Sequence, residues 1–190
     1  MTHAILANDI QRFLGLALFT LLFIQLISGA FMAKLTKKFG GWVFKFHIVE
    51  GVLVYCLAVL HPLVFMAFNH FTGSGWNPYA VFINVCLLCN SPVNFYYTLG
   101  MIAFWLLTVA FFAAIFRHFN LWFKKNWRKF HVLNYLIFLI VGVHAFLLGT
   151  DFSHKPFVYF ALPAYAIVVV IVIFIEFPRL YKNFRNWVNG

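Results

Sequence analysis

The sequence predicts an all-α integral membrane protein, a single domain over residues 1–190 built as a bundle of about five, or six, transmembrane helices. Three observations carry that prediction. Hydrophobic residues make up 64% of the chain and charged residues 9%, more apolar surface than a soluble domain of 190 residues can hide. The apolar runs show helical periodicity or none, where a membrane barrel would alternate. Basic residues gather in the short stretches between those runs.

The elements follow in chain order. The first span is expected at Ile10–Met32. The opening "MTHAILANDIQRF" has no basic leader and no small-x-small cleavage site, so this span reads as a retained helix rather than a signal peptide. The second span is Phe46–Phe68, and the connection from Asn69 to Asn94 is the longest in the chain. Within it, "YAVFINVCLLC" is too short to cross a bilayer and is expected to lie at the interface or fold over the end of the bundle. Phe95–Phe116, Phe130–Leu148 and Phe157–Phe177 complete the five.

The formal net charge of +10 raises the question of nucleic acid. That reading is set aside, because the charges sit in loops between apolar spans. Twelve of the fourteen basic residues fall on one face, in Lys34–Lys45, Arg117–Lys129 and Arg179–Arg185, while Arg12 and Lys155 fall on the other. The positive-inside rule then predicts a multi-pass protein of the cell (plasma or inner) membrane, with the N-terminus outside and the C-terminus in the cytoplasm.

Two of these spans carry histidines at membrane depth, where ionisable groups are costly and usually functional. His47 and His61 lie fourteen residues apart on the second span, His131 and His144 thirteen apart on the fourth. Both spans run the same way, so His47 and His131 share one depth and His61 and His144 another, about 20 Å further along. Apolar surroundings keep such histidines neutral, with a free nitrogen lone pair. Two imidazoles on opposite sides of one iron are what a low-spin b-type heme requires. The predicted sites are therefore an inner pair, His47/His131, and an outer pair, His61/His144, each ligating the iron of one heme b. Covalent attachment is excluded, since "CLLC" is followed by Asn90 and no C-x-x-C-H occurs. Zinc prefers more ligands than two.

Fourteen residues at about 100° each return to within about 40°, which puts His47 and His61 on one face. Thirteen leave His131 and His144 about 140° apart on an ideal helix. The fourth span must therefore be distorted or tilted, or its two hemes laterally offset, and Gly142 is one place for a distortion. His3, His70, His118 and His154 sit near termini or in loops and read as ordinary interfacial residues.

With those spacings the chain resembles the ferric reductase-like transmembrane family, which includes ferric reductases and the membrane part of NADPH oxidases. The local contexts are "RFLGLALFTLLFIQL", "FHIVEGVL" with "LHPLVF", and "NWRKFHVL" with "GVHAFLLGTD". The resemblance covers roughly Arg12 to Asp151 and implies oxidoreductase work, namely transmembrane electron transport. Electrons would enter from a cytoplasmic flavin, pass the inner and then the outer heme, and leave to an extracytoplasmic acceptor such as ferric iron. The chain departs from the oxidases in ending at "RLYKNFRNWVNG" without a G-x-G-x-x-G, so FAD or FMN is expected on a flavoprotein reductase partner or other donor. Phe65 stands where oxidases often carry a further histidine, and the family commonly has six spans. Competing readings are a heme subunit feeding a periplasmic reductase such as methionine-sulfoxide reductase, a quinol-linked diheme cytochrome b, and a non-redox scaffold or transporter.

Several further residues bear on these sites. Arg12 is placed to meet an outer heme propionate or to anchor at the interface. Arg128, with Lys129 and Lys45, can neutralise inner propionates, attract an acidic donor, or follow the positive-inside rule alone. Glu50, one turn from His47, either pairs with a loop cation or tunes the inner site. Phe138, midway between His131 and His144, can pack between the hemes. Cys86 and Cys89 are candidates for a disulfide, and Cys56 for a buried apolar residue.

Overall fold

A computed structural model describes residues 2–88, 90–152, 154–179, 181 and 185. Cys89 and Lys182, which entered the readings above, lie outside the described residues. Among those described the chain is helical, without strands, in the order α1 Thr2–Ala30, α2 Met32–Phe39, α3 Trp42–Phe71, α4 Pro78–Phe82, α5 Pro92–Phe116, α6 Leu121–His131, α7 Leu133–Leu148 and α8 Val158–Ile171, the last continuing as a π-helical turn, Val172–Glu176. Five stretches are long and apolar enough to cross a membrane: α1, α3, α5, α6 with α7, and α8 with its continuation.

The boundaries have local causes. Gly40, at φ +93°, takes the left-handed conformation that ends α2 and turns the chain into α3. Asn77 accepts from the Ala80 N–H and opens α4, with Pro78 as its first residue. Asn120 does the same for α6 through the Trp122 N–H. The first helix begins at Thr2, two turns before the expected Ile10, so Arg12 lies within it rather than at its start.

The fourth span is interrupted by one turn residue, and not at Gly142. The helix breaks at Val132, between His131 at the end of α6 and Leu133 at the start of α7. Gly142 instead gives room to α8, since a Cβ there would meet the Tyr165 ring at 2.3 Å.

Helix α1 packs along α3, α5 packs along α6 and α7, and α1 also touches α7 and α8. Helices α3 and α7 share almost no direct backbone contact; they face each other across a gap that α1 and α5 flank. The densest part of the core lies to one side of that gap. There Phe19, fully buried, meets Phe138 at 4.8 Å, Phe152 at 5.0 Å and Phe157 at 6.2 Å between ring centroids. Aromatic packing of this density fixes α1, α7 and α8 as one wall.

Candidate functional site

Each of the four histidines stands on the gap side of its helix, and three hold the ring through Nδ1. In the inner pair, His47 Nδ1 lies 2.8 Å from Ser28 Oγ, whose hydroxyl donates in turn to the Gln25 carbonyl at 3.1 Å. With Nδ1–H donating to Ser28, His47 Nε2 keeps its lone pair, and the Gln25 amide N–H points at it from 3.3 Å. His131 Nδ1 meets the Asn134 side chain at 3.3 Å. In the outer pair, His144 Nδ1–H donates to the Tyr96 carbonyl at 2.8 Å. His61 Nδ1 is buried without a hydrogen-bond partner. A ring nitrogen tied to a carbonyl or hydroxyl leaves the other free as a metal donor, and it orients that donor.

Glycines make room for the rings. A Cβ at Gly29 would meet His47 Cε1 at 3.3 Å, one at Gly15 would meet His61 Cε1 at 3.5 Å, and one at Gly100 would meet His144 Cε1 at 2.6 Å. Gly15 and Gly29 are fourteen apart on α1, the same spacing as His61 and His47 on antiparallel α3. That matched interval was legible in the sequence and was missed. Ser28, Gln25 and Tyr96 had no sequence signal of their own.

The two pairs differ in spacing. The His47 and His131 rings are 6.0 Å apart between centroids and inclined at 70°. An imidazole nitrogen sits about 2 Å from a bound metal and its ring centre about 1 Å further back, so two imidazoles across one metal need centroids about 6 Å apart. The outer pair lines a cavity of about 850 Å³ together with Gly15, Gly100, Leu22, Leu107 and Ile137, within the usual size of ligand pockets. No group of three or more His, Cys, Asp or Glu side chains converges among the described residues. The donor set is therefore pairs of imidazoles, which fits an iron whose other ligands come from a macrocycle and fits zinc poorly.

The remaining predicted residues fall variously. Arg12 lines the mouth of the cavity and is tied to Asp151, Nε to Oδ2 at 2.8 Å and Nη2 to Oδ1 at 2.6 Å. That bidentate bond, with the guanidinium's charge, holds the Asp151 carboxyl below its ordinary range. The pair fastens α1 to the turn after α7. Arg128 lies on the other side of the molecule. Its guanidinium is 5.7 Å from the Trp127 ring, which Arg117 covers at 4.7 Å and which lies 5.3 Å from the His131 ring. Arg117 and Trp127 thus join the inner site, although the sequence singled out neither.

Three expectations are corrected. Glu50 pairs with no cation: it is 4% exposed and both carboxyl oxygens lack a partner. Phe138 does not face the gap; it packs on Phe19 and Tyr165, and Ile137 takes the cavity wall instead. One residue of register on α7 decides this, because His144 and Ile137 are seven apart and share a face. Cys56 is exposed on α3 rather than buried. Cys86 is disulfide-bonded, and its segment folds over the cavity mouth, with the Cys86 N–H donating to Thr98 Oγ1 at 3.0 Å and Trp105 Nε1 to the Phe82 carbonyl at 2.8 Å. Phe65 lines the cavity and packs on Tyr97, while His3, His70, His118 and His154 stay outside it.

Compared with protein-family models, curated proteins and solved structures, the chain matches none.

Proposed function

We propose that the chain carries electrons across a membrane through two b-type hemes, as the heme subunit of a ferric reductase-like oxidoreductase. The observation that carries this reading is the facing of two histidine pairs across the α3–α7 gap, with no third side-chain ligand beside them among the described residues. Bound heme would supply one-electron ferric/ferrous chemistry. His47 and His131 would hold the inner heme, His61 and His144 the outer. Ser28 and Tyr96 fix the ring tautomers, Gly15, Gly29 and Gly100 let the rings lie against neighbouring helices, and the apolar wall of Leu22, Leu107 and Ile137 excludes water. Arg12 and Arg128 offer guanidinium groups at the two ends for acidic groups of the cofactor.

The inner end is the cytoplasmic end in this reading, by the basic residues of α2 and α6. A flavin-bearing reductase docks there, and an extracytoplasmic acceptor, ferric iron or another oxidant, is served at the cavity end. Docking on a basic face is salt-sensitive. In oriented proteoliposomes, a donor on the C-terminal side should reduce an impermeant ferric chelate on the other side; equal activity from either side overturns the direction.

The heme count tests the core of the proposal. Purified, heme-loaded protein should give two hemes per chain by pyridine hemochrome and a split alpha band on reduction. A ratio near one, or colourless protein, overturns it.

A further inference from the structure

Glu50 is the group this function has not absorbed. It lies on the bundle face of α3, in the series Val43, His47, Glu50, Val54, Ala58 and His61 that repeats every three to four residues. It is 4% exposed, and neither carboxyl oxygen has a hydrogen-bond partner. Along the helix axis it stands about 4.5 Å from His47 and about 16 Å from His61, so it belongs to the inner site.

The charged and titratable groups on the elements around it do not reach it. Helix α2 brings Lys34, Lys37 and Lys38, α5 ends at Arg117, α6 brings His131, and α3 itself brings Lys45, His47 and Tyr55. Helix α1 offers only the uncharged Gln25 and Ser28 at this depth, and α4 lies at the far end of α3. No hydrogen bond or ion pair joins any of these to Glu50. An unpaired carboxylate in such surroundings costs several kcal/mol or more, so it is retained as an ion only where a positive charge is supplied, and otherwise as the neutral acid.

Two neutral imidazoles, a dianionic macrocycle and ferric iron would leave one net positive charge at the ligated iron, the cofactor's peripheral acid groups aside, and ferrous iron would leave none. We propose that Glu50 is the counter-charge of the oxidised inner site and takes up one proton when that site is reduced. This rests on the heme reading above. The step balances: a reduced flavin donor gives one electron, ferric iron becomes ferrous, and the Glu50 carboxylate accepts a proton from cytoplasmic water. Electron entry then adds no net charge to the low-dielectric interior. By linkage, whatever the electron does to the proton affinity, the proton does to the electron affinity.

Spectroelectrochemical titration of the heme-loaded protein in nanodiscs, over about pH 6 to 9, tests this. The inner heme of wild type should lose up to about tenfold in reduction equilibrium per pH unit, about 59 mV for one electron. The outer heme should respond much less. Glu50→Gln should flatten the slope and make the inner heme easier to reduce, and Glu50→Asp should keep the slope. Infrared difference spectra of wild type, which need no variant, should show a protonated carboxyl C=O stretch appearing on reduction. A pH-independent inner heme, a slope that survives in Glu50→Gln, or no such band overturns the proposal while two hemes are still counted. Protein that binds no heme overturns the functional reading itself.

Discussion

The outer and inner histidine pairs come from the same two spans, yet they are built differently. His61 and His144 look onto a cavity of about 850 Å³. His47 and His131 have closed to 6.0 Å, and Gln25 covers the free nitrogen of His47. The outer pair sits among apolar side chains under a folded-over segment. The inner pair sits beside an unpaired acid and an indole with two guanidinium groups at 4.7 and 5.7 Å from its ring. An outer site of this kind is held by shape and by one backbone hydrogen bond, from His144 Nδ1 to the Tyr96 carbonyl. An inner site of this kind is held by polar contacts, and charge there is the variable the protein can tune.

The comparison breaks most sharply at the ligands. Replacing His61 or His144 by Ala should remove the outer heme and leave the inner, and replacing His47 or His131 should do the reverse. Each variant should fall from two hemes to one per chain by pyridine hemochrome, with the surviving heme identified by its potential. If His61→Ala removes the inner heme instead, the pairing across the gap is wrong.

Next in size are the glycines, which probe shape. A Cβ at Gly100 comes within 2.6 Å of the His144 ring, at Gly29 within 3.3 Å of His47, and at Gly15 within 3.5 Å of His61. Contacts under about 3 Å force something to move, and overpacking costs about 1–3 kcal/mol. Gly100→Ala should therefore lose most of the outer heme, Gly29→Ala part of the inner, and Gly15→Ala little of either. Heme retention in the reverse order would show that the rings do not rest on these backbones.

Ser28→Ala should act on the inner site alone. It removes the acceptor that fixes His47 Nδ1–H, and loss of such an orienting contact typically weakens metal binding by about 10–100-fold. The expected result is a protein that still loads two hemes at saturation, with a changed inner potential and faster inner heme loss to apomyoglobin. An unchanged inner heme would make Ser28 a packing residue only.

How much of this was readable beforehand depends on what each feature rests on. Span number and the four histidines rest on hydrophobic runs and on depth, which are one-dimensional properties, and all five spans stand within a few residues of their expected places apart from the ends of α1 and the fourth span. The interruption at Val132 was not legible, because the sequence offers no proline or glycine there. Gly142 looked like the natural weak point and is instead filled by Tyr165. Glu50 was singled out, yet its lack of any partner depends on where α2 and the end of α5 lie, which is tertiary information. Phe138 and Ile137 differ by one position, and only the packing of α1 and α8 decides which of them turns to the cavity.

The smallest effect belongs to the Arg12–Asp151 ion pair at the cavity mouth. Arg12 and Asp151 join α1 to the turn after α7 by a bidentate contact, and both side chains are partly exposed, 46% and 28%. Exposed pairs contribute little. Arg12 lowers the proton affinity of Asp151 in the folded protein, so the pair's contribution is fully present above the ordinary carboxylate range and is lost as pH falls through the lowered value. Asp151→Asn should therefore reduce the melting temperature by about 2 °C or less near neutral pH. The gap from wild type should shrink on strong acidification and in high salt. Heme content and the inner potential should not change, because Asp151 lines the cavity of His61 and His144, which neither His47 nor His131 lines. If Asp151→Asn instead lowers outer-heme occupancy, Arg12 needs its acidic partner to hold the outer site in shape, and the pair belongs to the site rather than to its rim.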